Sequence, residues 1–95
     1  MNGDKVNAER LNELYEVFTK IKSPGDAEEF LKDLCSAKEL KQMAGRLHAA
    51  KLLMQGKTYL EVTELSSVSS VTLSRISRCL KNGKGYNRVL DNLKN

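Results

Sequence analysis

The chain has 95 residues, 16 Lys+Arg against 12 Asp+Glu, a formal charge of +4 and one proline, which is room for one small domain. Two cysteines, Cys35 and Cys79, are too few for a disulfide scaffold and form no CxxC pair. No apolar run approaches the roughly 18 residues of a membrane span, the polar start MNGDKVNAER does not read as a signal peptide, and 40% hydrophobic residues in clear periodicity exclude disorder.

The first predicted helix runs from Asn7 to about Lys22, with Leu11, Leu14, Tyr15, Phe18 and Ile21 on one face. Pro24-Gly25 reads as a break. A second helix follows from Asp26 to Leu34, with Ala27, Phe30, Leu31 and Leu34 as its stripe. Asp26, Glu28 and Glu29 stand near its N-terminus, where the helix dipole favours acids. Ser36-Ala37-Lys38-Glu39 has the form of a capping box and opens the longest helix, to about Gln55. Its expected apolar face is Leu40, Met43, Ala44, Leu47, Ala50 and Met54, with both methionines as core filler, and Gly56 supplies the stop.

A second capping box, Thr58-Tyr59-Leu60-Glu61, starts a short helix that ends near Leu65. Ser66-Ser67-Val68 reads as a turn, and Ser69 caps a helix running through Val71, Leu73, Ile76 and Leu80 to Asn82-Gly83. A last amphipathic segment from Tyr86 to Leu93 carries Tyr86, Val89, Leu90 and Leu93. No alternating strand pattern occurs, so the expected fold is all-α with about six helices. The expected organisation is a single domain over 1–95. Within it, 1–35 forms dimerisation helices, 36–56 the long helix, 57–82 a helix-turn-helix and 84–95 the C-terminal helix.

Charge is distributed unevenly along these elements. Residues 1–35 carry eight acids and five bases, a net of −3, and residues 36–95 carry eleven bases and four acids, a net of +7. Between Glu64 and Asp91 there is no acid, while Arg75, Arg78, Lys81, Lys84 and Arg88 all fall there. That asymmetry points to a polyanionic partner for the second half.

A short helix, a three-residue turn and a basic second helix have the layout of a helix-turn-helix. Val62, Val68, Leu73 and Ile76 fall where its two helices would pack, Thr63 at their crossing and Ser67 at the tight turn. The outward residues are then Ser69, Ser70, Val71, Ser74, Arg75 and Arg78. Ser69 and Ser70 at a helix N-terminus suit a phosphate. Val71 suits a thymine methyl and Arg75 a bidentate contact to guanine, with Arg78, Lys81 and Lys84 set for backbone phosphates.

The stretch SAKELKQMAGRLHAAKLLMQGKTYLEVTELSSVSSVTLSRISRCL, from Ser36 to Leu80, resembles the Trp repressor superfamily, most closely its YerC/YecD-type branch. The resemblance is carried by Gly45-Arg46, by the Gly56-Lys57-Thr58-Tyr59 junction and by Thr72-Leu73-Ser74-Arg75. It implies an intertwined all-helical homodimer that reads a palindromic double-stranded DNA operator as a transcriptional repressor, for instance of a biosynthetic operon. It also implies a small effector held between Arg46 and Arg75, with Ser36 and Cys79 completing the pocket. Four departures from the family founder bear on that effector: Ile76 where it has glycine, Cys79 where it has serine, a turn one residue shorter, and Ser67 for the usual glycine. They point away from tryptophan, towards another amino acid such as histidine or towards no effector.

Other residues read more plainly. His48 has no companion at metal-ligand spacing and is expected at the surface or a dimer interface, so no metal site is expected. Cys35 and Cys79 read as small buried thiols of a reduced compartment, which places the protein in the cytoplasm. Tyr15, Phe18 and Phe30 read as core or interface anchors, because short helices with single apolar stripes are under-covered in a monomer. No nucleophile–base pair, carboxylate pair or phosphate loop is present, so an enzyme is not expected. The competing reading is a protein-interaction module that keeps the helical fold without reading DNA, with the acidic first half meeting a basic partner.

Overall fold

The computed structural model describes residues 2–94, with side chains described over residues 3–91. Six helices account for most of it: α1 (Asn2–Phe18), α2 (Pro24–Leu34), α3 (Ala37–Met54), α4 (Tyr59–Ser66), α5 (Ser70–Asn82) and α6 (Gly85–Lys94). There is no strand among the described residues. The chain divides into two compact units, Met1–Ser36 and Ala37–Asn95.

In the first unit, α1 begins at Asn2 instead of Asn7 and ends at Phe18 instead of Lys22. Its end is set by Thr19. The Thr19 hydroxyl donates to the Glu16 carbonyl at 2.6 Å, and the amides of Lys20 and Ile21 donate to the carbonyls of Val17 and Phe18 at 3.0 and 3.4 Å. These i→i−3 bonds tighten the last turn and close the helix, leaving Ile21 in the connection. Pro24 does not interrupt the chain; it is the first residue of α2. Ser23 caps that helix by accepting the Asp26 amide at 3.1 Å. Proline fits there because its fixed φ suits the first helical turn and its missing N–H would have no partner in any case.

Phe18 and Phe30 meet edge to face, with ring centroids 6.2 Å apart and planes at 89°. Such a pair adds about 0.5–1.5 kcal/mol beyond area burial. Leu14, Val17, Ala27, Phe30 and Leu31 are half-buried, whereas Leu11, Tyr15, Phe18 and Leu34 are exposed. No side chain described in this unit is fully buried.

The second unit has a closed core built from Ala49, Ala50 and Leu52 of α3, Val62 of α4, Leu73 and Ile76 of α5, and Leu90 of α6. Leu53, Met54, Val68, Leu80 and Tyr86 pack against it. Ala49 and Ala50 are completely buried, and their small side chains let α4 and α5 cross close to α3. The face of α3 expected to be buried is therefore only partly so. Ala50 and Met54 join the core, but Met43 and Leu47 remain 40% and 43% exposed, and Met43 fills no core. The second half of α3 is apolar on more than one side, and the helix-turn-helix covers the side carrying Ala49 and Leu52. Leu93, expected on the α6 stripe, lies outside the described side chains.

Local signals fix the joints of this unit. Gly56 adopts φ +88°. Its amide donates to the Leu53 carbonyl at 3.0 Å, and the Lys57 amide donates to that of Leu52 at 3.2 Å. This pair of bonds is the Schellman arrangement that ends helices on a left-handed residue. Asn87 ties α6 to the end of α5, its Nδ2 donating to the Leu80 carbonyl at 2.9 Å.

Candidate nucleic-acid interface

Thr58 opens α4 through a complete capping box. Its Oγ1 accepts the Glu61 amide at 3.2 Å, and a Glu61 carboxylate oxygen accepts the Thr58 amide at 3.1 Å. These bonds hold the exposed Glu61 carboxyl below the usual glutamate range, with the Thr58 backbone bond the largest cause and Lys57 a smaller one. The Thr63 hydroxyl bonds back to the Leu60 carbonyl at 2.9 Å, which satisfies it at the helix crossing. Ser66 likewise donates to the Val62 carbonyl.

The turn itself is made by Ser67, in the left-handed region at φ 62° and ψ 16°, with its amide donating to the Thr63 carbonyl at 3.1 Å. Val68 packs against the core, and Ser69 then caps α5. The Ser69 hydroxyl accepts the Thr72 amide at 3.1 Å and donates to Thr72 Oγ1 at 3.0 Å. That hydroxyl is thus occupied within the protein. The amides left for an anion are those of Ser70 and Val71, which have no intrahelical acceptor at a helix start.

Leu73 and Ile76 anchor α5 with 0% and 2% exposure. The opposite side presents Ser70, Val71, Ser74, Arg75, Arg78 and Lys81, all exposed. Val71, Ser74, Arg75 and Arg78 follow the i, i+3, i+4, i+7 spacing of one helical face. Val71 is 80% exposed at the start of this face. Thr72 is half-buried and serves the cap.

A cavity of about 360 Å³ lies beside this face, lined by Arg46, Thr72, Arg75, Ile76, Cys79 and Tyr86. It brings together Arg46, Arg75 and Cys79, three of the four residues expected at an effector pocket, with Ile76 on its wall. Ser36 ends the other unit. Tyr86 was not predictable as a lining residue, because only the packing of α6 brings it there. Arg75 belongs both to the cavity and to the exposed face of α5. Cys79 is half-buried, as is Cys35. His48 is exposed, and among the described residues no group of His, Cys, Asp and Glu could hold a metal ion.

A second groove, about 350 Å³, runs between α3 and the turn and is lined by Lys38, Lys41, Gln42, Arg46, Ser67 and Thr72 among others. The lysines of this groove escaped the sequence reading, although their spacing along α3 is visible there.

Comparison with known proteins decides the lineage. The family model for the Trp repressor protein matches residues 9–94. The chain belongs to the Trp repressor family. A relative from Bacillus subtilis (strain 168), "Uncharacterized protein YerC", is 33% identical over 95 residues, covering 99% of this chain and 91% of its own. The crystal structure of a TrpR-like protein from Eubacterium eligens ATCC 27750 superposes with a TM-score of 0.85 at 30% identity, over 96% of this chain and 95% of that one. A chain from Staphylococcus aureus gives 0.86 at 30% identity, over 99% and 95%. The six-helix, all-α Trp repressor-like fold is the one expected from the sequence. Among the described residues, no helix is long and apolar enough to cross a membrane.

Proposed function

We propose that this member of the Trp repressor family is a homodimeric, sequence-specific DNA-binding repressor of the cytoplasm and not an enzyme. The observation that carries the reading is α5: an acid-free helix, anchored by Leu73 and Ile76, whose outer face exposes Val71, Ser74, Arg75, Arg78 and Lys81. Such a helix enters the major groove with its N-terminal turn towards the bases. The Ser70 and Val71 amides meet a phosphate, Val71 covers a thymine methyl, and Arg75 donates to guanine O6 and N7. Arg78 and Lys81, one turn further on, meet the backbone.

Dimerisation is supported by the first unit, where Leu11, Tyr15, Phe18 and Leu34 are exposed and nothing described is fully buried. A second copy would cover that apolar surface and set two reading helices about one DNA turn, roughly 34–36 Å, apart. Control by a small amino acid is supported by the Arg46/Arg75 cavity, whose lining has two guanidinium groups and no acid. A carboxylate held there would fix the side chain of Arg75, which the reading face also uses. The side chain of Ile76 on the cavity wall favours an effector other than tryptophan.

Fluorescence titration against duplexes selected from a random library tests the reading. Arg75→Ala should cost about 1–3 kcal/mol on the selected site and relax preference at one base pair. Lys81→Ala should weaken all duplexes alike and lower the salt slope by about 0.9 per lost phosphate contact. The competing reading, a protein-interaction module, draws on the exposed Leu60 and Leu65 of α4. Salt-insensitive binding to a protein, with no retention on heparin, would favour it.

A further inference from the structure

The groove between α3 and the helix-turn-helix turn shares Arg46 and Thr72 with the Arg46/Arg75 cavity, but its Lys38, Lys41 and Gln42 are used neither by that cavity nor by the reading helix. Along α3, Lys38, Lys41, Gln42, Gly45 and Arg46 follow the spacing of one helical face, and all five line it. The opposite wall is the turn, with Ser67 and Thr72 among its polar residues. Gly45 lies at the floor of the groove. A Cβ there would stand 3.7 Å from both the Ser66 carbonyl oxygen and Val68 Cγ1, so α3 approaches the turn to ordinary contact distance at the floor of the groove.

Two features of the charge stand out. Lys38 and Lys41 sit in the first turns of α3, the end where the helix dipole disfavours cations, and their i, i+3 spacing brings like charges together. None of the three cations has an ion-pair partner among the described residues, and no Asp or Glu lines the groove. Glu39, in the same first turn, is not part of the groove lining, so the three exposed cations present a local excess of positive charge that an anion entering the groove would offset.

We propose that this groove is a phosphate-binding site, formed by Lys38, Lys41 and Arg46 with Gln42 and the turn hydroxyls as further donors. Its volume of about 350 Å³ admits a tetrahedral dianion or a phosphodiester. Two sources carry that chemistry. One is a backbone phosphate flanking the base pairs read by α5, which rests on the DNA-binding reading above. The other is a free phosphate monoester, which does not.

One experiment with two arms separates them, using the full-length protein and the double variant Lys38→Gln/Lys41→Gln. Both lysines are exposed, so folding should be preserved, and far-UV circular dichroism checks this. In the first arm, inorganic phosphate is titrated at constant ionic strength while backbone amide NMR shifts are followed. Saturable shifts at Lys38, Lys41, Gln42 and Ser67 that vanish in the variant assign the site to a free phosphate. In the second arm, the salt dependence of duplex binding is measured by fluorescence anisotropy. A slope lowered by about 0.9 per groove, with affinity down about tenfold per lost contact at 0.1 M salt and equally for selected and random duplexes, assigns it to the DNA backbone.

No saturation and an unchanged slope overturn the proposal. An equal fall in slope for Lys20→Gln/Lys22→Gln with no phosphate saturation also overturns it, since the effect would then be one of net charge. If the wild type binds no duplex at all, the DNA-binding reading fails by itself. The phosphate titration then decides the groove: saturation upholds it and a flat response overturns it.

Discussion

Ser67 offers the sharpest test of how the turn is built. It is the one non-glycine residue described with positive φ, at 62°, where an L-residue is disfavoured by about 1–2 kcal/mol relative to the right-handed region. The side chain is exposed and its hydroxyl has no hydrogen-bond partner among the described residues, so replacement by glycine removes strain and no contact. Glycine returns roughly 0.5–1 kcal/mol of that gain through the greater freedom of the unfolded chain. Ser67→Gly should therefore stabilise the protein by about 0.5–1 kcal/mol, which for a domain of this size is a Tm rise of about 2–8 °C. Ser67→Val, with a β-branched side chain in the same conformation, should lower Tm. Thermal melts by circular dichroism at one fixed protein concentration measure both, the fixed concentration being needed because dimerisation would shift Tm. A Ser67→Gly protein that melts at or below the wild type, alongside an unaffected Ser67→Val, would refute a left-handed turn at this residue.

Two glycines should respond with opposite signs to alanine. At Gly56, φ is +88° with open space around a Cβ, so Gly56→Ala should cost about 1–2 kcal/mol from backbone strain alone, read by urea denaturation. At Gly45, inside α3, a Cβ meets only ordinary contacts at 3.7 Å, and Gly45→Ala should stabilise by about 0.5–1 kcal/mol in the same assay. Leu73→Ala removes a completely buried side chain and should cost about 2–5 kcal/mol. The capping box makes stability depend on pH. Because the Glu61 carboxyl is held below its unfolded value, its contribution is complete above roughly pH 4.3 and is lost as pH falls through the lowered value. Thr58→Ala should remove about 1 kcal/mol at pH 7 and flatten that acid limb, as stability measured by urea denaturation across pH 3–6 will show.

Signals confined to neighbouring residues were legible in the sequence. Thr58 with Glu61, Ser69 before α5 and Gly56 after α3 each form their bonds within a few residues, so spacing alone identifies them. Pro24-Gly25 was ambiguous for a physical reason: the restriction that makes proline a helix breaker also makes it a good first residue of a helix. The face of α3 could not be chosen by period, because Met43 and Leu47 on one side compete with Ala49 and Leu52 on another. Which side is covered depends on where α4 and α5 settle. The outward set Val71, Ser74, Arg75 and Arg78 was legible because Leu73 and Ile76 fix the rotation of α5. Tyr86 at the cavity and Lys38 and Lys41 at the groove were not, since each acquires its meaning from an element distant in sequence.

The proposed role of α5 is to read base sequence. Selection of bound duplexes from a random library, run in parallel with wild type and Arg75→Ala, tests it most directly. The wild type should enrich a palindromic site with half-sites about one helical turn apart, and Arg75→Ala should lose preference at a guanine in each half. Recovery of an unenriched library by the wild type, under salt conditions where it still binds duplex DNA, would contradict that role.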